Sequence, residues 1–273
     1  MKRIGFAVSV IYLILLSTVP FLWPLVTSIK SEAEISTAPP TLLPRQLSVS
    51  AYQEIFEQRP FARYILNSFI VALGSTALAI AAGSAAAYAL SRMRPARAGA
   101  IEAIFLLAGL FPPAVLLVPL FTAARVLQAV DSYWGLILAH AAFNLPLAVW
   151  SLASFFRGLP RDLEDAARID GFSRLQFYRR ILLPLSAPAV AAAAIIVFIF
   201  SWNEFVIALT FMQRDAMRTV PVGIAMLSGT SAYEVPWGQV SAAIVLTTLP
   251  VVIAVLALQR RILGGLTAGA VKG

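Results

Sequence analysis

The sequence has no cysteine and a single histidine in 273 residues. Without thiols there is no disulfide, no thiolate nucleophile and no cysteine-held metal. One histidine excludes multi-histidine zinc or iron sites, so no metal site is expected. Charge is scarce as well: Asp, Glu, Lys and Arg make up 12% of the chain, about half the usual quarter. The only lysines are Lys2, Lys30 and Lys272, and no G-x-x-x-x-G-K-[ST] cradle for nucleotide phosphates occurs. A soluble domain of this length cannot cover itself with so few charges. A disordered chain, a coiled coil and an ordinary cytosolic enzyme are thereby excluded.

What is abundant is apolar. Hydrophobic residues reach 60% and mean hydropathy is +0.84, which indicates an integral membrane protein. Six stretches, at approximately 6–29, 65–91, 99–122, 134–156, 188–211 and 240–258, are long enough to cross the bilayer as helices. Strand-type alternation is missing, so the expected fold is all-α and multi-pass, one transmembrane domain over 1–273 with core spans at 65–258. Met1-Lys2-Arg3 resembles a signal-peptide n-region, but the apolar run after it is too long and no A-x-A-like site closes it. It reads as an uncleaved first helix.

The formal net charge of +8 has two readings. A nucleic-acid footprint would gather basic residues on one stripe, whereas here they are scattered between apolar runs. With the N-terminus inside, fourteen Lys and Arg fall in inner segments and seven in outer ones. That bias predicts both termini in the cytoplasm. The outer loops then sum to zero charge and the inner segments to +9, with Glu204 in the membrane. The excess is an orientation signal, and no nucleic-acid partner is expected.

The largest inner segment, 157–187, reads as helix–turn–helix. Pro160 suits a first helical turn, and Asp162, Glu164 and Asp165 favour a helix N-terminus. Leu163, Ala166, Ala167 and Asp170 share i, i+3, i+4, i+7 spacing. Gly171 has the place of a C′ glycine, Ser173 can cap a second helix, and Pro184 and Pro188 stop it. A solvated or interfacial connection is one reading. Docking of a partner is the other, favoured by alanines at the centre of the face.

This segment resembles the EAA loop of binding-protein-dependent ABC importer permeases, whose pattern is E-A-A, three residues, Gly, nine residues, I-x-L-P. Asp165-Ala166-Ala167, Gly171, Ile181 and Leu183-Pro184 match every spacing, with Asp165 in place of Glu and Glu164 just before it. Asn67-Ser68, Ala86-Ala87-Tyr88-Ala89-Leu90, Phe200-Ser201-Trp202-Asn203-Glu204-Phe205 and the tail Gly264–Gly273 are similar to the maltose/trehalose-type branch, second permease subunit. The resemblance implies a type I importer permease in a prokaryotic inner or plasma membrane, with no catalytic residue of its own. It implies a second homologous permease, an ABC ATPase dimer that binds ATP and Mg, and an extracytoplasmic sugar-binding protein as partners. It further implies that Glu164, Asp165, Ala166, Ala167, Asp170, Gly171, Ile181, Leu183 and Pro184 couple the pore to the ATPase. The tail residues Gly269, Val271, Lys272 and Gly273 are implied to reach it too. No cofactor is expected on this chain.

Within the membrane, Glu204 must face the protein interior, water or a partner, since a carboxylate in hydrocarbon is costly. With Trp202, Asn203 and Asn144 it offers the acceptors, amides and aromatic faces that suit a sugar along a substrate path. An interhelical polar clamp is the other reading. His140 reads as a packing residue, and Pro146, Pro112-Pro113 and Pro119 predict kinks. The alternative function is a secondary transporter or channel using Glu204 and His140. An intramembrane enzyme with a Ser–His pair lacks any motif to orient a nucleophile.

Overall fold

The computed structural model describes residues 2–227 and 235–270. In chain order the helices are α1 (Lys2–Thr27), α2 (Glu32–Ile35), α3 (Ser50–Gln58), α4 (Phe61–Arg92), α5 (Pro95–Gly109), α6 (Pro113–Val126) and α7 (Tyr133–Arg157). There follow α8 (Asp162–Ile169), α9 (Arg174–Phe177), a π turn (Tyr178–Leu182), α10 (Leu183–Leu185), α11 (Ala187–Trp202), α12 (Val206–Phe211), α13 (Val220–Ala225) and α14 (Trp237–Ala270). Among the described residues there is no strand. Two compact units are formed: residues up to Ile65 with Val222–Val251, and Leu66–Pro221 with the chain from Val252.

Among the described residues four helices are long and apolar enough to span alone, and the number is up to six if each of two bent pairs counts as one span. The sequence treated 99–122 as one kinked span. It is instead α5 and α6, turned by 86° at Leu110–Pro112. Pro112 and Pro113 cannot continue the ladder of α5, and Pro113 opens α6 at a position that needs no N–H donor. The stretch 188–211 is also not one helix: α11 stops at Trp202 and α12 starts at Val206. By contrast α7 runs through Pro146 without a break.

In the first unit the segment after α1 is tied down by polar contacts. Ser28 Oγ meets the Tyr52 hydroxyl at 2.9 Å, and the Lys30 ammonium donates to the Thr41 carbonyl. Glu34 accepts from the Thr41 hydroxyl at 2.7 Å and from the Arg45 N–H at 3.0 Å. The Thr41 hydrogen bond is the main cause holding the Glu34 carboxyl below the usual glutamate range.

In the second unit small residues let helices approach. Ala79, Ala141, Ala148 and Val197 form one buried cluster joining α4, α7 and α11. A Cβ on Gly83 would sit 2.8 Å from the Ala148 Cβ, so only glycine permits that crossing. Asn67, fully buried, donates to the Ala216 and Arg218 carbonyls at 2.9 and 2.8 Å and accepts from the Tyr133 hydroxyl at 2.7 Å. Ser68 accepts from the Val220 N–H at 2.8 Å. The Asn-Ser pair at the start of α4 therefore anchors the 215–220 connection to this unit.

Candidate functional site

The segment between α7 and α11 is built on a helix end that the sequence specifies closely. Gly171 has φ +80°, the left-handed region that glycine enters without strain. Its N–H bonds the Arg168 carbonyl at 3.0 Å and the Phe172 N–H bonds the Ala167 carbonyl at 2.9 Å. This is a Schellman ending for α8. Two residues later Ser173 and Gln176 form a reciprocal capping box that starts α9.

The second helix is not stopped by Pro184. It runs from Arg174 to Leu185 and then bends by 79° into α11. Pro184 has no N–H to offer, and the turn before it widens: the Leu183 N–H bonds the Tyr178 carbonyl, five residues back. Pro188 sits in the first turn of α11, where no donor is needed.

Helix α8 is held by its inward side. Ala167, Phe177 and Leu182 are buried with Ala87 of α4, Leu152, Ala153 and Phe156 of α7 and Ala193 of α11. The carboxylate of Glu164 is nearly buried, 2.8 Å from Arg92 at the end of α4 and 2.8 Å from Arg168. Tyr178 adds a 2.6 Å hydrogen bond to Ser84 of α4. The periodic face assigned from sequence divides: Ala167 turns in, whereas Leu163, Ala166 and Asp170 are exposed. Asp165 is exposed and pairs with Arg168 at 3.5 Å. Ile181 and Leu183 are half-buried and Pro184 is exposed.

Sequence reasoning missed Ile169 on the outward side, and it placed Leu175 with Tyr178, Ile181 and Leu182 along one side of the second helix, a side that divides in the structure. Ile169 is 88% exposed and Leu175 57% exposed. With Leu163 and Ala166 they give α8–α9 a small-residue and aliphatic surface ringed by Asp165, Arg168 and Asp170. The signal of Ile169 was present as an apolar residue off the periodic face of α8, a position that calls for a partner.

The intramembrane polar residues gather at the break between α11 and α12. Glu204 accepts from the N–H groups of Ile207 and Ala208 at 2.8 and 2.9 Å, so it caps α12. Its other contact is His140 Nε2 at 3.1 Å, and His140 Nδ1 lies 2.8 Å from Ser201 Oγ. Ser201 in turn meets Ser75 of α4 at 2.7 Å. Ser201, His140 and Glu204 have the residue types of a hydrolytic triad. Ser201 is buried and its hydroxyl is shared with Ser75, so it has no approach for a substrate carbonyl. The arrangement ties α4, α7 and α11 together through one histidine.

A cavity of about 360 Å³ opens beside this network, lined among others by Phe111, Phe143, Phe200, Asn144, His140 and Glu204. Asn144 donates to the His140 carbonyl at 2.9 Å. Trp202 lies elsewhere: it is buried between Phe69 and Phe198, with ring centroids at 4.8 and 5.6 Å. Asn203 is exposed and donates back to the Ile199 carbonyl at 2.8 Å. Of the four substrate-path residues, only Asn144 and Glu204 therefore share the cavity.

The family of binding-protein-dependent transport system inner membrane components matches residues 79–266. The chain belongs to this family. It is 41% identical over 254 residues to the sulfoquinovosyl glycerol transport system permease protein SmoH of Agrobacterium fabrum, covering 93% of this chain and 88% of that protein. It is 39% identical to the trehalose transport system permease protein SugB of Mycobacterium tuberculosis, covering 93% and 92%. A bacterial ABC transporter involved in import of the acidic polysaccharide alginate has a chain of the same fold, with TM-score 0.78, 24% identity and 95% of each chain covered.

As an inner-membrane component of this family, the chain is a multi-pass, all-α permease subunit with a type I importer fold. The match takes in all of 157–187 and stops short of the last residues of the tail. Gly269 falls within α14, and Val271, Lys272 and Gly273 lie outside the described residues.

Proposed function

We propose that this permease forms half of the translocation pore of an ATP-driven sugar importer. Its partners are a second homologous permease, a pair of ATPase subunits that bind ATP and Mg, and an extracytoplasmic sugar-binding protein. Both termini lie in the cytoplasm with the 157–187 segment. One observation carries the coupling role: α8 is held inward by Glu164 and Ala167 while Leu163, Ala166 and Ile169 stay exposed. A helix fixed on one side and open on the other transmits a push from a partner to α4, α7 and α11. Asp165, Asp170 and Gly171 shape that surface. Ile181, Leu183 and Pro184 carry the motion into the bend before α11. The tail residues Gly269, Val271, Lys272 and Gly273 make a second ATPase contact.

A sugar as the solute rests on the relatives, several of which are named for glycosides or disaccharides. The cavity chemistry agrees with it, since aromatic faces, an amide and a carboxylate suit hydroxyls and ring faces. Trp202 and Asn203 support that path from behind, through packing and helix termination. The competing reading, a proton- or ion-coupled carrier, needs a carboxylate free to change partners. Both oxygens of Glu204 are engaged by α12 and His140.

The test is reconstitution. Proteoliposomes holding both permeases and the ATPase should take up sugar when ATP is inside and loaded binding protein outside. Uptake by this chain alone, driven by a proton gradient, would overturn the proposal.

A further inference from the structure

Where α4 ends, α5 begins and α7 ends, the second unit has a polar cavity of about 410 Å³ that the transport reading does not use. Arg92, Arg157, Arg161 and Glu102 line it, together with Pro95 and Gly99. Arg157 pairs with Glu102, and Arg92 with Glu164. Arg161 makes no ion pair among the described residues, and three guanidinium groups line the cavity against one carboxylate, Glu102. The Nη2 end of Arg92 is buried and has no hydrogen-bond partner among the described residues. Buried guanidinium donors are costly to leave unmet, and a planar fork of donors matches phosphate oxygens. A Cβ on Gly99 would meet nothing within 4 Å, so the floor of the cavity is open.

The surroundings name the occupant. Along α5 and at its C-terminal cap, directly after the cavity, Ile104, Leu107 and Leu110 are each about two-thirds exposed or more. On α7, Trp150 is half-exposed two turns before Arg157, where an indole marks the boundary between hydrocarbon and headgroups. A free phosphate fits the arginines alone. A diacyl phospholipid satisfies both features, its phosphate on the arginines and its chains along α5. We infer that this cavity is a headgroup site for an anionic phospholipid, seated at the base of the helix pair α8–α9. Basic pockets between span ends are sites of this kind. The site stands apart from the transport reading, because it needs only these helix ends and a bilayer.

The test uses the assembled transporter in detergent. It is titrated with dioctanoyl phosphatidylglycerol, dioctanoyl phosphatidylcholine or glycerol phosphate, and retained molecules are counted by native mass spectrometry. Phosphatidylglycerol should be held in preference to the zwitterionic lipid. Arg161→Gln, at an exposed position outside the packed core, should weaken it about fivefold. Arg94→Gln, a nearby arginine that does not line the cavity, should leave it unchanged. Equal retention of the two lipids, or equal effects of the two substitutions, would overturn the site. Glycerol phosphate held as tightly as the lipid would overturn the assignment to a phospholipid.

Discussion

Substitutions at Gly171 separate backbone geometry from contact at the helix–turn–helix. The residue has φ +80°, and a Cβ there would meet nothing within 4 Å. Any cost of a side chain is therefore conformational rather than steric. An L-residue in the left-handed region costs about 1–2 kcal/mol, and asparagine is penalised least. A cost of about 1.4 kcal/mol is a tenfold shift in the local turn equilibrium. The two hydrogen bonds of the Schellman ending then break in a corresponding share of molecules, and α8 loses its fixed exit toward α9. Membrane insertion is decided by the apolar spans and should not change. The assay is ATP-driven uptake in proteoliposomes, normalised to the permease present. Uptake should fall in the order Gly, Asn, Ala, Val, with alanine about tenfold down and valine lower still. Wild-type uptake by the valine variant, or an asparagine variant as damaged as valine, would refute the reasoning.

Other consequences are as direct. Arg92→Met leaves the nearly buried Glu164 carboxylate with Arg168 alone; thermal unfolding should report a loss of about 1.5–3 kcal/mol, partly restored by adding Glu164→Gln. Glu204→Ala strands two backbone N–H groups and the His140 ring, so folded protein should fall sharply in size-exclusion profiles. Glu204→Gln retains an acceptor oxygen and should keep most of it. In the first unit, the Glu34 carboxyl is held below its unfolded value. Its contribution is therefore complete above the ordinary glutamate range and lost as pH falls through the lowered value. Thr41→Ala, which removes the main cause, should flatten the acid limb of a stability–pH curve.

The legible parts of this molecule were those that local chemistry dictates. Apolar length located the four helices that are long enough to span alone, and glycine and serine at the right offsets located the end of α8 and the start of α9. Burial direction was less accessible. A helical step of about 100° turns Glu164 inward to Arg92 and Asp165 outward, and only the position of Arg92 on another helix decides between neighbouring carboxylates. The 86° turn at Pro112-Pro113 lies within an uninterrupted apolar run, and apolar runs flank the break at Asn203–Phe205 on both sides, so hydropathy carries no information on direction. The polar network had a faint signal in a serine, a histidine and a glutamate on spans four and five. That they meet on one imidazole follows from packing across 64 residues. The exposed Ile169 was hidden because it falls outside the periodic face of α8.

The absence of cysteine makes the central claim directly measurable. Ala166→Cys places one unique thiol on the exposed side of α8, and Ala153→Cys places one in the buried cluster beneath it. In the assembled transporter, with the ATPase subunits free of reactive thiols and carrying a short amine-to-thiol cross-linker, Ala166→Cys should be captured by the ATPase and uptake should stop. Ala153→Cys should not be captured. No capture at Ala166 in a transporter that still hydrolyses ATP and moves sugar would contradict the account.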